Sequence, residues 1–231
     1  MTCATESTCF HLKTNRESLI ILDTIERQEE WRKKYSEWQS AHKSIGDDTG
    51  DDYPFVENKR APFTPARRAL PMLNLALISS AGGYVDGTEQ FDVNAAGGDT
   101  SFREIPIEVG AEDLRFSPRG YDRQFVEQDI NAQVPIARLV EFADNGVIGQ
   151  LNSAWWSFSG FIPDALRLAE KLLPGLIERV VRYEVQAALL IPASRLCHQS
   201  IALVARGLEQ AGIPTIMLAV ETEVIEKVRP P

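Results

Sequence analysis

Residues 190–216, LIPASRLCHQSIALVARGLEQAGIPTI, decide the fold. They open on the end of an apolar run that begins at Val185 and pass through the small turn Pro192-Ala193-Ser194. Apolar residues then follow at helical spacing from Leu196 to Ala211. Ser194 has the side chain of a helix N-cap, whose hydroxyl accepts an amide N–H that the first turn leaves unpaired. Gly212 ends the helix, and a second apolar run follows from Pro214 to Val220. Strand, helix of about four turns and strand make a βαβ unit, which is right-handed and builds parallel sheets. The expected fold class is therefore α/β, with a parallel or mixed central sheet and helices on both faces.

Outward from this unit, "NLALISSAGG" (residues 74–83) is an apolar run closing on small residues, as in a buried strand that feeds a functional loop. A long Gly/Asp/Asn-rich loop then leads to a strand over residues 102–107, and a shorter strand covers 113–117. Pro135 starts a helix that runs to about Asp144 and ends at Asn145-Gly146. "NSAWWSFSGF" is a strand or tight loop. Pro163 begins another helix, which Pro174-Gly175 must break or kink before a second helical piece over 176–183. Over residues 18–42, Leu22, Ile25, Trp31, Tyr35 and Trp38 recur mostly at three- and four-residue steps among charges. This is an amphipathic helix whose aromatic face docks on the main domain or on a second copy. The organisation expected is a flexible arm (1–17), an amphipathic helix with an acidic linker (18–60) and an α/β domain (61–231).

Composition removes several function classes. The chain has 231 residues, enough for a full core without staples, and its net charge of -9 has the wrong sign for binding a phosphate backbone. No apolar run reaches the roughly 18 residues that a membrane span needs. No nucleic-acid or membrane partner is expected. Cys3, Cys9 and Cys197 make no disulfide framework, and the N-terminal residues lack a secretory pattern, so a cytoplasmic location is expected. His11, His42 and His198 are too scattered for a metal set. The aspartates of "GDDTGDDY" lack the alternation of a calcium loop, so no metal is expected. "AGGYVDG" lacks dinucleotide or P-loop glycine spacing, and no cofactor is expected.

In open parallel sheets ligands gather beyond the carboxyl ends of the strands, which puts the Gly82-Gly83 loop and the turn from Ala193 to Cys197 on one rim. Cys197 falls in the first turn of its helix, where amide N–H groups and the helix dipole lower a thiol pKa. Such a cysteine suits nucleophilic, redox or proton-transfer chemistry; the alternative is that Ser194 only caps and Cys197 fills a gap in the core. His198 is adjacent, although successive helical side chains diverge by about 100 degrees. The other polar residues of the inferred rim include Asp99, Arg103, Asp122 and Asp129. Asp99 and Arg103 suit an ion pair that orders their loop. Asp122 and Asp129, seven apart, share a face if helical, and either suits a general base. Trp155 and Trp156 line a ligand pocket or complete a core.

Several segments together resemble the selenoprotein B subunit family of the glycine, sarcosine, betaine and D-proline reductases. They are "TPARRAL", "NLALISSAGGYVDGTEQFDV", "GGDTSFREIP", "YDRQFVEQDINAQVPIARLVEFADNGVIGQL", "SFSGF" and "LLIPASRLCHQSIALVARGLEQAGIPTI". The likeness covers about residues 62–218. It implies a selenocysteine or cysteine three residues before a second cysteine. In that chemistry a selenolate attacks the substrate carbon and reductively cleaves a C–N bond, while the pyruvoyl group of a partner subunit activates the amine. Here the first position is Ser194 and the second is Cys197. Pro118 and the pair Trp155-Trp156 stand where the resemblance implies histidines. The function expected is a reductase-B-like enzyme with a thiol-centred site for a small amino-acid or amine derivative, working by reduction, bond cleavage or proton transfer. Cys197, Ser194 and Asp122 are its expected catalytic residues. Gly82, Gly83, Asp99, Arg103, Asp129, Trp155, Trp156 and His198 are its expected binding residues. The expected partners are a small-molecule substrate and either a second copy or a partner subunit; the competing reading is a non-catalytic member that binds a metabolite or a subunit.

Overall fold

A computed structural model describes residues 24–42 and 52–231. The expected arm (1–17), the start of the amphipathic helix and most of the acidic stretch lie outside the described residues. In chain order the main elements are helix α1 (Gln28–Ala41), strands β1 (Asn74–Ser79), β2 (Gly83–Val85), β3 (Phe102–Pro106) and β4 (Leu114–Phe116), and helices α2 (Arg123–Gln128) and α3 (Ile136–Asp144). Strands β5 (Gln150–Leu151) and β6 (Ala154–Phe158) follow, then helices α4 (Ala165–Arg167) and α5 (Leu173–Arg182). Strand β7 (Ala187–Ile191), helix α6 (Arg195–Gln210), strand β8 (Thr215–Met217) and helix α7 (Thr222–Val228) complete the chain.

The central sheet runs β3-β6-β1-β7-β8, with β5 pairing the start of β1. β1 is parallel to β5, β6 and β7, and β7 to β8; only β3 is antiparallel, along β6. The mixed α/β sheet and the βαβ unit are therefore as the sequence predicts. Side-chain alternation splits the core in two. Ala76 and Ile78 of β1 face a cluster that includes Leu168, Leu176, Ile201 and Leu203 from the helices between β6 and β8. Leu75 and Leu77 face the other cluster, with Leu139 of α3.

The aromatic face of α1 docks on this domain. Trp31, Tyr35 and Trp38 are buried, Trp31 stacks on Tyr35 with ring centroids 4.8 Å apart, and the Trp31 indole donates to the Pro54 carbonyl at 2.7 Å. Burying such rings contributes on the order of 2 kcal/mol each.

Two departures from the sequence reading have local causes. Gly83 is not only loop: it opens β2, which pairs antiparallel with β4 in a separate two-stranded sheet. Pro174 does not break its helix. The chain widens into a π turn over Leu168–Leu172 and resumes as α5 with Pro174 in its first turn, where a missing N–H costs nothing.

Candidate functional site

Three parallel strands end together. Beyond β1 lies Ser80, beyond β6 lie Ser159 and Gly160, and beyond β7 lies the turn to Ser194. The Ser80 amide donates to Ile191 O at 3.1 Å, Gly160 N to Ser80 O at 3.0 Å, and Ala193 N to the Ser80 hydroxyl at 3.0 Å. These bonds lace the three ends into one floor at the start of α6, and Cys197 stands on it.

Ser194 caps α6 as the sequence predicts, its hydroxyl accepting from Cys197 N at 3.3 Å. The same hydroxyl lies 2.8 Å from Cys197 Sγ and donates to it. A Cβ on Gly160 would fall 2.4 Å from Ser80 Cβ and 3.0 Å from Cys197 Sγ, so Gly160 is required for this close approach. Cys197 is only 1% exposed, yet it belongs to neither apolar cluster. Its polar partners are the Ser194 and Ser80 hydroxyls and the Ala193 and Ser194 backbone. Burial pushes the thiol pKa up, against the Ser194 and Ser80 hydroxyls and the Ala193 and Ser194 backbone, which pull it down. The thiolate-favouring effect expected of the helix terminus is thus outweighed by the loss of water, and the resting group is the neutral thiol.

His198 serves a different purpose from that expected of it. Its Nδ1 is 2.6 Å from Ser194 O, while Nε2 accepts from Val220 N at 3.1 Å and Glu221 N at 3.3 Å, so the ring ties α6 to the chain beyond β8. Burial lowers its pKa from the ordinary 6.5, against the Ser194 carbonyl and Glu221. Because the folded value is depressed, the neutral ring contributes stability above the unfolded pKa, and that contribution is lost as pH falls through the folded one. Thermal melts from pH about 7 to 5 should therefore show a drop in Tm that is shallower in His198→Gln. Parallel curves for the two proteins would contradict the assignment.

The remaining expected residues disperse. Asp122 is exposed and caps α2 by accepting from Gln124 N at 2.9 Å. Asp129 closes α2 in an extended conformation and accepts from Asn131 N, so the two acids do not share a helical face. Asp99 and Arg103 make no direct ion pair: Asp99 accepts from Asp92 N and Ser101 N, each at 2.8 Å. Arg103 donates to the carbonyls of Glu89 and Gln90 and to Ser101 Oγ, and lies 4.4 Å from the Phe91 ring centroid. Together they order the loop before β3. Trp155 and Trp156 point to opposite faces of the sheet and complete the two cores, 1% and 0% exposed.

Gly82 and Gly83 do reach the rim. Gly82, at φ +68°, donates to Phe158 O and accepts from Ser117 N, and Gly83 N donates to Ser157 Oγ at 2.7 Å. Ser80, Gly160 and Tyr121 escaped the sequence reading. Their only signal was position: two small residues directly after buried strands, and a tyrosine beside a glycine. Among the described residues, no three His, Cys, Asp or Glu side chains stand close enough to hold a metal ion, and no helix is long and apolar enough to cross a membrane.

Comparison with curated proteins gives the D-proline reductase subunit gamma of Acetoanaerobium sticklandii, 32% identical over 165 residues, which are 71% of this chain and 67% of that protein. The chain belongs to the reductase B-subunit family. The sarcosine reductase complex component B subunit beta of Peptoclostridium acidaminophilum is 28% identical over 187 residues, 77% of this reductase-family chain. The glycine reductase complex component B subunit gamma of Symbiobacterium thermophilum is 26% identical over 176 residues, 71% of this chain. The matches span only 41% and 39% of those two relatives. No family model matches the chain, and no solved structure does.

Proposed function

We propose that this chain is a subunit of an amino-acid-reductase type of enzyme in which Cys197 is the reacting thiol for a small amino-acid or amine derivative. One observation carries the reading. The buried sulfur sits where the parallel strands end, in hydrogen-bond reach of the Ser194 and Ser80 hydroxyls and of backbone amides. A core-filling cysteine has no use for that polar setting, because hydroxyls desolvated beside a sulfur gain little from it. Ser194 caps the helix and donates to the sulfur, and Ser80 joins the strand ends beneath it. Asp122 lies outside this cluster as a surface cap and has no part in the proposed chemistry.

The three relatives carry D-proline, sarcosine and glycine in their names, and two are named as components of complexes. Those three compounds are the first to assay, with a dithiol reductant and with the other components of such a reductase complex. Reductive C–N cleavage that depends on this chain supports the reading. Turnover unchanged by omitting the chain contradicts it.

A second reading, a member that binds a metabolite or another subunit without chemistry, is favoured by the 1% exposure of Cys197. Iodoacetamide separates the two: alkylation of Cys197 in the native protein supports the first, and a thiol inert until the protein unfolds supports the second. The Ser194–Cys197 geometry also makes a structural prediction. With Oγ and Sγ 2.8 Å apart, Ser194→Cys should close a disulfide to Cys197 under mild oxidation, seen as a two-hydrogen mass loss in the peptide that holds both. Two free thiols after oxidation would show that the pair is held apart in solution.

A further inference from the structure

Residues 117–122, SPRGYD, cross the rim outside any strand or helix, and their anchors are unevenly distributed. At the near end Ser117 N donates to Gly82 O at 2.9 Å. At the far end the Tyr121 hydroxyl donates to Ala81 O at 2.7 Å. In the middle Arg119 lies 4.4 Å from the Phe161 ring centroid and donates to Ala95 O at 3.4 Å. Gly120 adopts φ +76°, and a Cβ there would fall 2.6 Å from the Phe161 ring and 3.2 Å from Ser194 Oγ. Its main chain is therefore pressed against the hydroxyl that lies 2.8 Å from Cys197 Sγ. One end of the segment is tied by backbone and the other by the Tyr121 phenol, each to the turn that follows β1, with Arg119 held between them.

We propose that residues 117–122 form a strap over Cys197, latched by the Tyr121–Ala81 hydrogen bond, and that the thiol becomes accessible only when the latch opens. The strap reconciles a sulfur in polar surroundings at the strand ends with its 1% exposure. Gly120 lets the strap lie flush, because any side chain there meets Phe161 and sits at a backbone angle that L-residues avoid. Tyr121 is a positioning residue: its hydroxyl holds the strap, and lifting it uncovers Ser194 and Cys197 together. The proposal rests on the thiol reading for its purpose, whereas its test reads access alone.

The test is the rate at which iodoacetamide alkylates Cys197 in the full chain, with the adduct mapped by mass spectrometry at several urea concentrations below unfolding. Tyr121→Phe removes the latch and keeps the ring, and Gly120→Ala forces the strap away from Phe161. Val204→Ala, fully buried in α6, lowers overall stability without touching the strap. Tyr121→Phe is expected to raise the rate about fivefold, the shift that loss of one hydrogen bond of ordinary net strength gives, and Gly120→Ala, whose Cβ meets Phe161 at a left-handed backbone angle, to raise it at least as much. The rate should depend weakly on urea, and Val204→Ala should leave it unchanged. If Gly120→Ala does not fold, Tyr121→Phe decides alone. Wild-type rates in Tyr121→Phe, or rates that climb with urea in step with global unfolding in every variant, would overturn the strap. Turnover retained by Cys197→Ala beside a faster Tyr121→Phe would refute the thiol reading and leave the strap standing.

Discussion

Cys197→Ala is expected to lower turnover of the assembled enzyme by about a thousandfold or more, because among the described residues no other group at the rim supplies a sulfur nucleophile or its redox chemistry. The fold should survive. The substitution removes one buried atom from a niche whose walls, Ser80, Ser194 and the amide-linked strand ends, bond to one another without it. A stability loss of about 1 kcal/mol follows from the small cavity and from the Ser194 hydroxyl losing its acceptor. The two effects are thus unequal, and measuring kcat beside the melting temperature separates them. Equal collapse of both would mean that the cysteine is a packing residue, and wild-type kcat would reject the thiol altogether.

The largest loss of stability is expected at Trp156. This indole is fully buried, packs in the cluster beneath α5 and α6, meets the Tyr183 ring edge-on with centroids 5.4 Å apart, and donates to Glu104 Oε2 at 3.2 Å. Glu104 also accepts from Arg179 Nε at 2.8 Å and from the Tyr183 hydroxyl at 2.6 Å, so the ring anchors a charged cluster that ties β3 to α5. Truncation to alanine leaves a cavity and removes one donor of that cluster. Trp156→Ala should cost about 4 kcal/mol, which moves Tm by about 10 °C in a chain of this size. Trp156→Phe should lose about half of that, since the ring volume is largely kept. Urea unfolding of the three proteins reads the differences directly. A near-neutral Trp156→Ala would mean that the ring borders an open pocket after all.

The fold was legible where periodicity and punctuation agree. Ser194, Gly212 and the flanking apolar runs mark a βαβ unit without ambiguity, and Pro135 with Asn145-Gly146 brackets α3. What escaped depends on tertiary partners. β2 is three residues long, and only its pairing with β4 makes it a strand. Pro174 sits inside a helical run because the turn before it widened, an adjustment that composition does not encode. At the candidate site, the contact between Ser194 and Cys197 was legible through local capping chemistry. Ser80, Gly160 and Tyr121 stayed hidden because they reach the sulfur through chain segments roughly 40 to 120 residues distant. The acids lie away from the sulfur for a related reason. Asp99, Asp122 and Asp129 bond to amides within a few residues of themselves, a local use that looks the same in sequence as a catalytic one. The direction of the thiol shift was missed because the helix terminus is read from sequence, whereas burial is not.

The most direct test of the thiol-centred account is the stoichiometry of inactivation. Cys197 is alkylated stepwise in the assembled enzyme, the occupancy at that residue is measured by mass spectrometry, and residual turnover is plotted against it with and without bound substrate. The account predicts that activity falls in proportion to occupancy, extrapolates to zero at one adduct per chain, and is protected by substrate. Undiminished turnover in enzyme fully alkylated at Cys197 would contradict it.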